Sequence, residues 1–183
     1  MMMTPFYIVI GIGAVMITAL LLVLIIAATK PDRFRSERSI DISAPPAKVF
    51  PLLDDLKQQR LWSPYEQKDP DMKRTYSGAE RGAGAIYEWD GDKNIGAGRQ
   101  EIIAVTPNER IEGKIDFFRP MKANNRFELL LKPAANGTNV TWAIFGPMPF
   151  SSRVFSIFMD FDKMIGNDFE KGLLQLKQVA ERP

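Results

Sequence analysis

The chain has 183 residues and a formal charge of +2, with both signs interspersed, so no long basic stripe is available for nucleic acid. It contains neither cysteine nor histidine. Disulfide frameworks, thiolate nucleophiles, Ser-His-Asp catalysis and Cys- or His-ligated metal centres are thereby excluded.

Phe6 to Thr29 runs without one charged side chain. As a helix it is about 36 Å long, enough to cross a hydrocarbon core of roughly 30 Å with some tilt. A cleaved secretory signal has a basic n-region and a shorter apolar stretch. MMMTP carries no basic residue, and only Ala27-Ala28-Thr29 loosely imitates a cleavage site. The expectation is a retained anchor over residues 1–30, contacting the membrane through residues 6–29, followed by one domain over 31–183. Lys30, Arg33, Arg35 and Arg38 follow the anchor and no Lys or Arg precedes it, which places the C-terminal part in the cytoplasm of a single-pass protein. The same basic cluster suits anionic headgroups.

After the anchor the hydrophobic period changes several times. Ser39–Ile42 alternates as a first strand. Ser43 is the expected N-cap of a helix opened by Pro45-Pro46, whose apolar face is Val49, Phe50, Leu52 and Leu53. A second helical piece is predicted over Leu56–Leu61, ending at Trp62-Ser63-Pro64. Strands are then predicted over Asp71–Ser77, Gly84–Trp89, Gly96–Val105, Arg110–Phe118 and Asn125–Lys132. Asp90 to Asn94 is a tight turn, Asn136-Gly137 a hairpin, and Val140, Trp142 and Ile144 line one side of the last strand. Ser151–Glu181 reads as one long helix with Phe155, Phe158, Ile165, Phe169, Leu173, Leu176 and Ala180 on its apolar stripe.

Strand, short helices, about six strands and a long helix is the order of an α+β helix-grip fold, a curved antiparallel sheet around a C-terminal helix. The segments Ile42-Ser43-Ala44-Pro45-Pro46-Ala47-Lys48-Val49-Phe50, Trp62-Ser63-Pro64 and Gly82-Ala83-Gly84-Ala85-Ile86-Tyr87-Glu88-Trp89 resemble the SRPBCC superfamily, the START-like or polyketide-cyclase/dehydrase group of bacterial domains. Pro107-Asn108-Glu109-Arg110-Ile111, Thr138-Asn139-Val140-Thr141-Trp142 and Phe169-Glu170-Lys171-Gly172-Leu173 resemble it as well. The resemblance implies a bacterial inner-membrane setting and an internal cavity, but no shared catalytic set, cofactor or metal. Its members include lipid carriers, aromatic-polyketide cyclases and chaperone activators. Three functions follow as expectations: binding a hydrophobic small molecule or lipid, a cofactor-independent cyclase or dehydratase reaction, and gripping a protein partner. The first is favoured, so the chain reads as a binding protein before an enzyme.

Aromatic side chains dominate small cores, yet a hollow between sheet and helix is lined by the same residue types. The candidate wall comprises Trp62, Tyr87, Trp89, Phe117, Phe127, Trp142, Phe158 and Ile165. Asp162 lies near the apolar stripe, where a carboxylate is costly unless paired, and is expected to bond Arg or Lys from the sheet. Glu88, Asp116 and Glu128 alternate with apolar neighbours and read as solvent-facing, whereas the register of Glu101 is ambiguous. Asp90-x-Asp92-x-Asn94 imitates a calcium loop, but Ile95 stands where the sharp turn needs Gly. A polar hairpin is the expectation there. Gly82-x-Gly84 and Gly96-x-Gly98 lack a strand-to-helix junction for phosphate and read as bulges or bends.

Overall fold

A computed structural model describes residues 4–182, so Met1 to Met3 and Pro183 of the expected segments lie outside the described residues. The chain forms two units. One contains the residues up to Phe34 together with Pro147–Phe161; the other contains Arg35–Gly146 and the residues from Asp162 onward.

In the first unit the uncharged run forms helix α1, Thr4–Thr29, and Tyr7–Thr29 is long and apolar enough to cross a membrane. A short helix, α5 (Phe150–Phe155), packs against it. Ala27 is fully buried there, although the large α1 side chains from Tyr7 to Ile26 are mostly exposed.

The second unit holds a seven-stranded sheet in the order β1-β7-β6-β5-β4-β3-β2, with antiparallel pairing from β2 through β7. The strands are β1 (Arg33–Ile42), β2 (Lys73–Gly78), β3 (Ala85–Asp90), β4 (Ala97–Thr106), β5 (Arg110–Arg119), β6 (Ala123–Ala134) and β7 (Gly137–Pro147). Short helices α2 (Pro46–Val49), α3 (Pro51–Asp54), a 3-10 turn (Leu56–Leu61) and α4 (Pro64–Lys68) separate β1 from β2, and α6 (Phe161–Ala180) closes the chain. This is the helix-grip architecture expected from the element order.

The alternation that predicts the strands also fills their inner face. Ile111, Phe127, Leu129, Leu131 and Val140 join Phe169, Leu173, Leu176 and Ala180 of α6 in one apolar cluster. Bulky rings are seated over glycines. A Cβ on Gly113 would lie 2.1 Å from the Phe127 ring and one on Gly98 2.3 Å from Trp89. The β4–β5 register shifts at Ala97/Gly98, so Gly98 is the expected bulge.

Four sequence expectations are corrected. The Ser151–Glu181 helix is two helices, α5 and α6, separated by 156–160. There the Ser156 hydroxyl donates to the Arg153 carbonyl at 2.8 Å, competing with continued helix. Ser43 does not cap α2: Pro45 holds that position in extended conformation because Pro46 follows it, and the Ser43 amide donates to Glu181 instead. The first strand begins at Arg33 rather than Ser39, so that Arg35 and Arg38 lie on β1 and pair with carboxylates. Glu128 is not solvent-facing but buried between Arg35 and Arg110. Burial raises the pKa of its carboxyl, yet hydrogen bonds from Arg35 and Arg110 hold it below the ordinary range.

Helix α6 approaches the sheet closely because Gly172 has no side chain. A Cβ there would stand 2.8 Å from both Pro64 and the Trp142 ring. Gly172→Val should therefore lower stability by about 1–3 kcal/mol, read from urea unfolding of the detergent-solubilised chain by tryptophan fluorescence. Gly13→Ala, with nothing within 4 Å of the added carbon, should leave that transition unchanged.

Candidate functional site

The inner face of the sheet divides into two regions. Toward β7 it is filled. Trp142 stacks on Phe169 at 4.0 Å between centroids and 8° between planes, and Trp62 meets Trp142 edge-on at 5.2 Å. The Trp62 indole N–H donates to the Leu52 carbonyl at 2.8 Å, which satisfies its one buried donor. Of the candidate wall, Trp62, Phe127 and Trp142 thus pack within the core or against it. Phe117 sits edge-on to Trp89 at 5.9 Å, and Ile165 is half-buried on α6. Phe158 lies outside α6 and is 71% exposed, because the helix expected to carry it inward is interrupted. Asp162 meets the expectation of pairing with the sheet. Arg38 and the Ser36 hydroxyl bond its carboxylate and hold its pKa below the ordinary range.

Toward β2 the inner face is polar and aromatic. Helix α4 carries Glu66, 7% exposed, whose carboxylate accepts from the Tyr87 hydroxyl at 2.6 Å and from Arg74 Nε at 2.7 Å. Arg74 also donates to the Pro70, Met72 and Asp69 carbonyls, so its charge is neutralised and its donors are used. Tyr76 stacks on Tyr87 at 5.0 Å and 14°, and Trp89 follows at 6.0 Å from Tyr87. Gln100 pairs in register with Tyr87 and is 8% exposed.

Two buried atoms of this region lack partners: the Tyr76 hydroxyl and Gln100 Nε2. An unpaired buried donor costs roughly 1–3 kcal/mol, and such groups are ordinarily met by water or by a ligand. An open cleft of about 200 Å³ is lined by Tyr76 together with Asp55, Leu56, Lys57, Ser77 through Glu80, Ala85 and Ile86. Its rim is fixed by the exposed Arg81, which makes a two-pronged ion pair of 2.9–3.0 Å with buried Asp54, while Gly82 N–H donates to the Asp54 carbonyl.

None of the eight wall candidates lines this cleft, although Tyr87 and Trp89 adjoin it through the Tyr76 stack. Glu66, Arg74, Tyr76 and Gln100 were missed. Ser63-Pro64-Tyr65-Glu66 signals the start of α4, with Pro at the first helical position, but Ser63 makes no side-chain cap and nothing in the pattern reveals that Glu66 turns to Tyr87 and Arg74.

Burial, followed by the bond to Glu66, raises the Tyr87 pKa, and burial likewise raises those of Tyr76 and Tyr65. These phenols are proton donors at neutral pH rather than bases. The Asp90–Asn94 turn is the expected polar hairpin, with Asp92 accepting from the Asn94 and Ile95 amides. Among the described residues no cluster of three or more acids stands ready for a metal.

Known proteins share this fold. A family model for polyketide cyclase / dehydrase and lipid transport matches residues 33–181. No curated protein matches the chain significantly. Among solved structures, a protein from Chromobacterium violaceum is 17% identical with a TM-score of 0.58, over 84% of this chain and all of that one. The Aha1 dimer from Colwellia psychrerythraea is 18% identical at 0.57, over 81% and 96%. The di-domain ARO/CYC StfQ of the steffimycin biosynthetic pathway is 10% identical at 0.61, over 81% of this chain and 51% of StfQ.

Two outcomes are expected. Glu66→Ala should cost roughly 3 kcal/mol by stranding a buried guanidinium, and Tyr87→Phe about 1–2 kcal/mol. A double-mutant cycle in urea should show the two losses coupled. Because the three tyrosines have folded pKa values above their unfolded value near 10, the stability they contribute is complete below about pH 10 and is lost as pH rises through the folded values. Absorbance titration of phenolate should show them ionising with unfolding rather than before it.

Proposed function

We propose that this chain, which belongs to the polyketide cyclase/dehydrase and lipid transport family, is a membrane-anchored binding protein for a small, partly apolar molecule. The observation that carries this reading is the cleft beside the Tyr76–Tyr87 stack, with two buried, unpartnered polar atoms in the same region. About 200 Å³ lies below the roughly 300–1,000 Å³ of ordinary ligand pockets. It suits one fused ring system or the end of a chain rather than a folded lipid. Tyr76 lines the cleft and brings an aromatic ring to it; its hydroxyl and the Gln100 amide are enclosed behind that wall and would reach the carbonyl or hydroxyl of a guest only after a small side-chain shift. Helix α1 serves as the anchor, keeping the domain beside the phase in which such molecules dissolve. The basic residues that follow it assign the domain to the cytoplasmic side.

A second reading, cyclase chemistry, draws on the same residues. Phenols kept protonated by burial can donate to a ketone oxygen as an enolate develops. Turnover of a poly-β-ketone thioester by the purified chain, abolished in Tyr76→Phe, would favour it.

The binding reading is tested on the full chain in mild detergent, titrated with 1-naphthol and with dodecanoic acid and followed by calorimetry. Saturable binding is expected. Ala79→Trp, at an exposed cleft position, should weaken it at least tenfold without changing the unfolding transition. Absence of saturable binding of either probe, together with organic extracts empty of any small molecule by mass spectrometry, would overturn it and leave a protein partner as the favoured ligand.

A further inference from the structure

Within the first unit, the segment following β7 carries four large apolar side chains with much of their surface exposed. Phe150 is 42%, Phe155 53%, Phe158 71% and Met159 49% exposed. They fall on α5 and the turn after it, which continues through bonds from the Phe158 and Met159 amides to the Phe155 carbonyl. A soluble surface seldom gathers so much apolar area in ten residues.

The segment is fastened to the C-terminal end of α1. Lys30 Nζ donates to the Ser156 carbonyl at 2.9 Å and to its hydroxyl at 3.1 Å, and Arg153 donates back to the Lys30 carbonyl at 3.3 Å. The Met148 amide donates to the Asp32 carbonyl at 2.6 Å. On α1, Ala27 is buried and Val23, Leu24 and Lys30 are half-covered, positions that share one helical face. Contact from Val23 to Lys30 spans about 10 Å along the helix axis. That is the depth to which interfacial helices sink their apolar side.

We propose that residues 150–159 form an interfacial element that lies in the bilayer beside α1, with Phe155, Phe158 and Met159 among the acyl chains and Lys30 and Arg153 at headgroup level. The occupant of this apolar surface is lipid of the membrane that α1 crosses. Three features select lipid over a soluble partner. The patch is attached to the last turn of an apolar span, so its height relative to the membrane surface is set by that span. Arg153 lies 5.4 Å over the Phe150 ring, pairing a cation with an aromatic face beside apolar surface, a combination that suits an interfacial segment. Lys30 and Arg33 follow the span directly and match an anionic leaflet. The inference rests on the reading of α1 as a membrane-spanning anchor and extends it: membrane contact is made twice, by a span and by a surface-lying turn far away in sequence.

The absence of native cysteine makes the test direct. Single variants Phe155→Cys, Phe158→Cys and Met159→Cys, with Ile17→Cys as a mid-span control, are labelled with an environment-sensitive fluorophore. Each full-length protein is then reconstituted into phosphatidylcholine/phosphatidylglycerol vesicles. The three segment labels should be quenched at least twofold by lipids spin-labelled near the headgroup and be protected from aqueous iodide. The Ile17 label should respond to deep spin labels. If Ile17→Cys is quenched while the segment labels remain open to iodide, the interfacial element is refuted and the anchor stands. If the segment labels are shielded from iodide without lipid quenching, a protein surface covers the patch and the lipid occupant is refuted. If Ile17→Cys is not quenched by deep spin labels, the spanning reading fails and this inference falls with it.

Discussion

A carboxylate withdrawn from water must be met by a cation and by hydrogen bonds, or it does not stay charged. Glu66 meets that demand with Arg74 and Tyr87, and much of the second unit depends on the result. The two bonds tie α4 to β2 and β3. Neighbouring residues of α4 then become a wedge: Pro64 rests where a Gly172 side chain would stand, and Tyr65 meets the Trp142 ring edge-on at 6.4 Å. Helix α6 is therefore seated on a surface whose position one buried ion pair helps to define. Arg74 in turn draws three carbonyls of the Asp69–Met72 turn around itself, so the approach to β2 is ordered by the same charge.

The strands were legible because their inner and outer residues alternate with period two, and each of the six predicted after the short helices appears with boundaries shifted by a few residues. Helices were read less well, for reasons local to each. Pro51 opens a new helix where the apolar run Val49–Leu53 had suggested one continuous piece. The recurrence of Phe155 and Phe158 at helical spacing was real, but those rings do not serve the sheet. Hydrophobic periodicity records that a face is apolar and is silent on whether protein or another apolar phase covers it. Glu128 failed for the complementary reason. Alternation correctly placed it on the outer face, yet Arg110 of adjacent β5 and Arg35 of β1, one strand further away, close over it, and long cations can bury a group that pattern alone assigns to solvent.

The same logic separates the expected hollow from the observed cleft. Of the rings expected to face a ligand between sheet and C-terminal helix, Trp62 and Trp142 pack on each other, and Gly172 lets α6 descend until Trp142 and Phe169 are in stacking contact. Volume removed there is not removed at the other end of the inner face. Beyond Tyr87 the sheet is covered by short helices and by a loop whose turn requires Gly82 and Gly84 at positive φ, and short elements cannot fill space as a continuous helix does. The unpaired Tyr76 hydroxyl and Gln100 amide are buried at this end of the inner face.

The basic residues after α1 illustrate how one stretch of sequence serves two demands. Counted along the chain, Lys30, Arg33, Arg35 and Arg38 form the kind of flank that would orient a membrane span. In the folded chain they are distributed. Lys30 fastens the turn after α5, Arg35 neutralises Glu128, and Arg38 reaches Asp162 and Glu170 through space that Gly166 leaves open. Only Arg33 among them is exposed without a structural role seen here in the fold's ion pairs. For a chain inserted into a membrane, orientation would be decided during insertion, before those partners exist, whereas stability is decided afterward. The two uses do not compete in time, so a flank can be spent on the fold without losing its meaning for the membrane.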